Sequence, residues 1–255
     1  MLTRTQLKEF HEENVPLHMI ELDYIQSIIL KHIYLKHDTL VFKGGTCLRK
    51  VHDLDRFSED LDFNMIGKNA EEILMSGIKG LEKTGIEAEL AHFDDRKDVY
   101  LAKIRYKGPL HQGTELSEGT LKIDISKHKI HNKTSWETMI GTYPDTGTYS
   151  VKVMSLEEIL AEKFRSLVQR DTPRDLYDIW YILKKGAELR YELLDQKFRD
   201  LDMPTRTPTD ILSNYRLSEE DWKRDMRNLI HRTPEMEKIL EEISEIINQS
   251  LSDLG

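Results

Sequence analysis

Along residues 17–36 the apolar positions Leu17, Ile20, Leu22, Tyr24, Ile25, Ile28, Ile29, Ile33 and Tyr34 return to one broad side at roughly helical spacing, which predicts a helix with a buried face. Thr39 to Phe42 then reads as a short strand. Gly44 and Gly45 break it, and Thr46 to His52 opens a helix with Thr46 near its cap. From Arg56 to Asn64 the period falls to two: Asp60 and Asp62 take one side and Leu61 and Phe63 the other, as in a strand with one buried face. A helix would separate those carboxylates. Ile73, Leu74, Ile78 and Leu81 carry a helix over 67–83 that Gly85 ends, and Gly77 and Gly80 weaken the pattern from inside.

Strands follow over 86–93 and 99–107, joined by the polar turn Asp94-Asp95-Arg96-Lys97; in the second, Tyr100, Ala102, Ile104 and Tyr106 oppose Lys103, Arg105 and Lys107. A loop over 108–119 leads to 121–126, where Leu121, Ile123 and Ile125 alternate with Lys122, Asp124 and Ser126. After a last short strand over 151–154 the period turns helical. Ser155 and Glu158 have capping-box spacing for a helix over 156–169, and Pro173 opens another that ends before Gly186. Pro204 and Pro208 interrupt the remainder, with amphipathic helices expected over 219–230 and 233–251. The expected architecture is an α+β domain over 1–150 followed by a helical domain over 151–255, without a fixed-period repeat.

A chain of 255 residues with 38% hydrophobic and 33% charged positions can build a real core under a wet surface. Cys47 is the sole cysteine, which excludes a disulfide framework and a Cys-based zinc cluster. Glu9, Glu12 and Glu13 stand where a signal peptide needs apolar residues, and no apolar run has membrane length, so a soluble, unprocessed, cytoplasmic protein with no membrane partner is expected. The net charge of -9 argues against indiscriminate coating of nucleic acid, yet residues 96–133 hold nine Lys or Arg against four Asp or Glu. That excess fits either a solvated strand face or a phosphate-bearing partner.

Carboxylates two apart on a strand share a face and suit a hard divalent cation such as Mg²⁺, which favours oxygen ligands. Asp60 and Asp62 have that spacing, and Asp124, set between Ile123 and Ile125, supplies a third carboxylate for a three-Asp metal site. Asp53 and Asp55 repeat the Asp-x-Asp pattern without strand-like flanks and are expected in a turn. Gly44 and Gly45 allow a tight turn and close approach to phosphate oxygens, with the next helix's first amides and the Thr46 hydroxyl as donors. Neither a P-loop nor a dinucleotide fingerprint is present. Taken singly, a glycine pair is more often a plain turn and Asp-x-Asp a solvated pair. Their order is what suits a metal-dependent nucleotidyl transferase, in which an acceptor hydroxyl attacks an α-phosphate and pyrophosphate leaves.

Four blocks in order, Lys43-Gly44-Gly45-Thr46, Arg56-Phe57-Ser58-Glu59-Asp60-Leu61-Asp62-Phe63, Leu156 to Lys163, and Arg174-Asp175-Leu176-Tyr177-Asp178, resemble the AbiEii-type nucleotidyltransferase toxin family. The resemblance implies a polymerase-beta-like nucleotidyltransferase fold with a mixed sheet, followed by a helical domain contributing Lys163 and Asp175 to the cleft. It implies Asp60 and Asp62 as the metal pair with Asp124 as third ligand, and Gly44, Gly45 and Thr46 at the triphosphate. Lys163, by its residues alone a snorkelling lysine, becomes the lysine that contacts nucleotide phosphates. Asp175 becomes the active-site acid, while Asp178 either positions Lys163 or Arg174 or ties two helices together. Arg56 either neutralises triphosphate or serves the loop, Cys47 packs, and His128 and His131 touch phosphate or lie on the surface. Mg²⁺ or Mn²⁺ and a nucleoside triphosphate donor are implied, as is the role of toxin beside an antitoxin, in some members in phage defence. The acceptor ranked first is the 3' end of tRNA, ahead of a protein or small molecule; a nucleotide-binding partner without turnover is the reading from another class.

Overall fold

The computed structural model describes residues 1–252. It divides into two compact units, one of Met1–Lys129 with Thr134–Val153, the other of Ile130–Lys133 with the chain from Met154 on.

In the first unit the elements run α1 (Arg4–Lys8), α2 (Leu17–Tyr34), β1 (Leu40–Lys43), α3 (Gly44–His52), β2 (Leu61–Met65), α4 (Ala70–Lys83), β3 (Glu87–Asp95), β4 (Val99–Lys107), β5 (Gly119–Ser126), β6 (Ser135–Ile140) and β7 (Thr148–Val153). One seven-stranded sheet has the order β3-β4-β5-β2-β1-β7-β6. β2 with β5 and β1 with β7 are parallel and the other neighbours antiparallel, so the sheet is mixed, as expected. Three local expectations change. α3 begins at Gly44, which puts Thr46 inside its first turn rather than at the cap. The strand expected from Arg56 begins only at Leu61. β6 carried no alternation to read, because Trp136 and Ile140 are exposed on this edge strand.

Alternation fixes the sheet's two faces. Leu61, Phe63, Ile123, Ile125 and Ile104 are all fully buried on one side, where Phe42 and Phe63 meet as rung partners with ring centroids 5.4 Å apart. Residues between them therefore point to the opposite face. The helix α4 reaches α2 through the two glycines that weakened its pattern: a Cβ on Gly80 would stand 2.3 Å from the His32 ring and one on Gly77 3.0 Å from Ile29. Close packing of helices, not a break, is their reason.

The polar residues of α2 tie it to the loops beside the sheet. Gln26 donates to the Ser58 carbonyl, and the Glu21 carboxylate accepts from the Leu110 amide. Asp23 is held by Lys50 at 2.8 Å, Arg49 at 3.3 Å and the Tyr143 hydroxyl at 2.9 Å. Burial pushes its carboxyl up, but Lys50 and Arg49 outweigh burial and leave it below the ordinary carboxylate range. Asp23→Ala strands the buried Lys50 ammonium, so urea unfolding should show a loss of about 3–5 kcal/mol; a loss under about 1 kcal/mol would mean that the cluster reorganises around water.

The second unit is helical: α5 (Leu156–Gln169), α6 (Pro173–Lys184), α7 (Tyr191–Arg199), α8 (Pro208–Ser213), α9 (Glu219–Met226) and α10 (Met236–Ser252). Ser155 caps α5 by accepting from the Glu158 amide, as its spacing predicts. The other half of the capping box is diverted. The fully buried Glu158 carboxylate accepts from the His131 and Asn132 amides and pairs with Lys197 at 2.6 Å.

Candidate active site

Register places two of the three expected carboxylates side by side. On the parallel pair β2 and β5, Asp62 stands opposite Asp124, and the rung continues to Lys43 on β1 and Leu101 on β4. Asp62 and Asp124 therefore present their carboxylates on one face of the sheet. Lys43 belongs to the first of the blocks that carry the resemblance but had no role there; its rung position puts it next to Asp62, a neighbour that only pairing register reveals. Asp60 lies one residue before β2, and its carbonyl accepts from the Thr46 hydroxyl.

The glycines make the tight turn that was expected, and they also leave room for side chains. Gly44 has φ +74, and a Cβ there would lie 2.2 Å from Asp62 Oδ2. A Cβ on Gly45 would lie 2.5 Å from Arg56 Nη2 and 2.9 Å from Ser58 Oγ. The missing side chains thus make room for the Asp62 carboxylate and for the Arg56 guanidinium, which is buried behind the turn. Thr46 is fully buried, so its hydroxyl fixes the backbone at Asp60 instead of facing phosphate. Lys43, the N-cap of α3, provides no side-chain cap to the first amides of the helix. Cys47 is buried, and burial with nearby Asp62 pushes its thiol up, which suits packing and not nucleophilic attack.

In the second unit Lys163 on α5 is gripped by two acids of α6, Asp175 at 2.8 Å and Asp178 at 2.7 Å. Asp175 also holds Arg170 at 3.1 Å. Both aspartates are buried against α5. Contact with Lys163 is one of the two places that the spacing of Asp178 allowed. Burial pushes the Asp175 carboxyl up, yet the Lys163 and Arg170 charges hold it below the ordinary carboxylate range. Because the folded pKa is depressed, the stabilisation is complete above the unfolded value, about 4, and disappears as pH falls through the folded value. Wild type should therefore lose stability steeply below about pH 4. Asp175→Asn should start about 3 kcal/mol lower at neutral pH and show a shallower acid slope in urea melts across pH.

Of the basic stretch, Arg105 pairs with Glu89 at 2.6 Å and Glu118 at 3.6 Å, Lys107 with Glu87 at 2.6 Å, Arg96 with Asp94 at 2.7 Å, and Lys127 with Asp95. Much of the apparent excess is thus neutralised by β3 and its turn. The Asn64 side chain donates to the His128 carbonyl, and the His131 ring meets Asp200 at 2.8 Å within the second unit. Asp53 ends α3 in the left-handed region, φ 62, confirming it as a turn residue.

Among the described residues no three His, Cys, Asp or Glu side chains are gathered as a ready metal cage, so the expected three-Asp cluster is not closed. The donor set still fits a hard cation: all are carboxylate oxygens, two share a rung, and the space that a Gly44 side chain would fill is what seats Asp62. No helix among the described residues is long and apolar enough to cross a membrane.

No curated protein matches the sequence significantly. The fold is similar to the nucleotidyltransferase toxin MenT4 of Mycobacterium tuberculosis, with TM-score 0.73 and 20% identity over 100% of this chain and 91% of that one. It is also similar to JHP933 of Helicobacter pylori, with TM-score 0.61 and 21% identity over 94% of each chain. The model of the family described as nucleotidyl transferase AbiEii toxin, type IV toxin–antitoxin system, matches residues 28–248. That span takes in the Gly44 turn, the Asp62–Asp124 rung and the Lys163 grip, and the chain belongs to the AbiEii family as an NTP-dependent nucleotidyltransferase, the toxin of a type IV toxin–antitoxin pair.

Proposed function

We propose that this toxin works in the cytoplasm, transferring a nucleoside monophosphate from a nucleoside triphosphate to the 3' hydroxyl of tRNA, with Mg²⁺ or Mn²⁺ held by Asp60, Asp62 and Asp124. The observation that carries the reading is the rung on which Asp62 and Asp124 stand together beside Lys43, at the start of α3. A bound divalent cation supplies charge neutralisation on the triphosphate and lowers the pKa of the attacking hydroxyl. The first amides of α3 and Lys43 bind phosphate oxygens and Asp124 orients the acceptor hydroxyl; in the second unit, Asp175 and Asp178 align Lys163, the lysine that the family resemblance gives to phosphate contact. The hydroxyl oxygen gives up its proton to solvent and bonds to the α-phosphorus as the bond to the bridging oxygen breaks and pyrophosphate leaves.

The test is transfer of label from each α-labelled nucleoside triphosphate to total tRNA with Mg²⁺ or Mn²⁺, alongside Asp60→Ala. Label on RNA that vanishes in the variant is the expected result, and it names the donor base. Tight triphosphate binding with no label on RNA, protein or small molecule would overturn transfer in favour of a binding role. Label on protein or a small molecule alone would move the acceptor.

A further inference from the structure

We propose that His92, Lys103 and Lys122 form a binding rung for the phosphodiester backbone of the acceptor RNA, one step from the catalytic carboxylates; the inference rests on the RNA-acceptor reading. Lys103 on β4 stands opposite Lys122 on β5 and opposite His92 on β3. All three are exposed. Lys122 is two residues before Asp124, so the rungs lie about 6.6 Å apart on one face, and three strands carry the basic row about 10 Å across the sheet.

Two observations set this row apart from a solvated strand face. The rung on its far side is neutralised, since Arg105 is paired with Glu89 and Glu118, whereas none of His92, Lys103 and Lys122 makes an ion pair or side-chain hydrogen bond among the described residues. Two unneutralised lysines directly opposite each other are unfavourable on their own and become favourable with an anion across them. The second observation is the bulge in β3. Leu90 pairs with Ile104 but His92 pairs with Lys103, so the register slips by one residue at Ala91. Without the slip His92 would fall opposite Ala102, on the buried face; with it, His92 joins the lysines and Phe93 turns inward to stack on Tyr100. The row leads from the β3 edge of the sheet to Asp124, the course a single strand would follow to present its terminal hydroxyl.

Lys103→Ala/Lys122→Ala in the full chain tests the rung. Binding of labelled tRNA by fluorescence anisotropy and initial rates against tRNA and against nucleoside triphosphate are measured at several salt concentrations. Dissociation constant and KM for RNA should rise on the order of tenfold. The salt dependence should become shallower by about 1.4 in log–log slope, two contacts at about 0.7 each. The KM for triphosphate should stay within about twofold, and the double arginine variant should restore RNA binding. A raised triphosphate KM with unchanged RNA binding would overturn the proposal and assign the row to the donor's phosphates. Unchanged values for both, or a wild type that does not bind RNA, would overturn it as well. Wild type that binds RNA through this row yet labels none of it would sink the transfer reading and leave the rung standing; label reaching tRNA equally in wild type and double variant would do the reverse.

Discussion

Asp62→Asn is expected to lower nucleotidyl transfer at least about a thousandfold, some 4 kcal/mol of transition-state stabilisation, while Asp53→Asn leaves it within about threefold. Asn keeps the shape of Asp62 and removes the charge, so the β2 strand, anchored from the other face by the fully buried Leu61 and Phe63, should stay folded. What disappears is half of the paired negative charge on the rung with Asp124, and with it the affinity for a hard cation. Asp124→Asn should behave alike. Asp53 belongs to the same Asp-x-Asp class on paper but ends α3 at φ 62, a conformation that Asn tolerates as well as Asp. Steady-state rates with melting curves for all three variants decide the matter; full activity in Asp62→Asn, or its loss in Asp53→Asn, would exchange the roles of the two acidic pairs.

Those two pairs show what a single sequence carries. The alternation Asp60-Leu61-Asp62-Phe63 was readable because burial on one face imposes a period of two, and the same physics exposed Asp124 between Ile123 and Ile125. Which strands lie side by side is a non-local fact. The Asp62–Asp124–Lys43 rung arises from one parallel and one antiparallel pairing across three strands, and no local pattern specified it. The family resemblance named Lys163 and Asp175, but that both Asp175 and Asp178 grip Lys163 depends on how α5 packs on α6. β6 stayed hidden because Trp136 and Ile140 face solvent and only Met139 is buried. The glycines were visible and their purpose was not: what a missing side chain makes room for depends on residues more than ten positions away.

Gly44→Ala is the second large effect. Two costs arise at that position, and they can be separated. Alanine at φ +74 pays for the left-handed conformation, about 1–2 kcal/mol. Its Cβ would also stand 2.2 Å from Asp62 Oδ2 and 2.8 Å from Asp62 Cβ and Cγ, closer than any real contact, so the carboxylate must leave its place or the turn must open. Displacing a catalytic group by about 1 Å costs on the order of a hundredfold. Transfer should therefore fall about 10²-fold or more even where the variant is mostly folded. Gly113→Ala is the control, because Gly113 has φ +79 with nothing within 4 Å of an added Cβ. That variant should lose about 1 kcal/mol of stability and keep its rate. Rates measured well below each melting temperature distinguish the cases. If Gly44→Ala is destabilised like Gly113→Ala yet transfers at the wild-type rate, Asp62 does not depend on the space that Gly44 leaves. If its rate falls while the triphosphate KM rises less than kcat declines, the lost contribution is one made in the transition state, as the Asp62 position beside Asp124 requires.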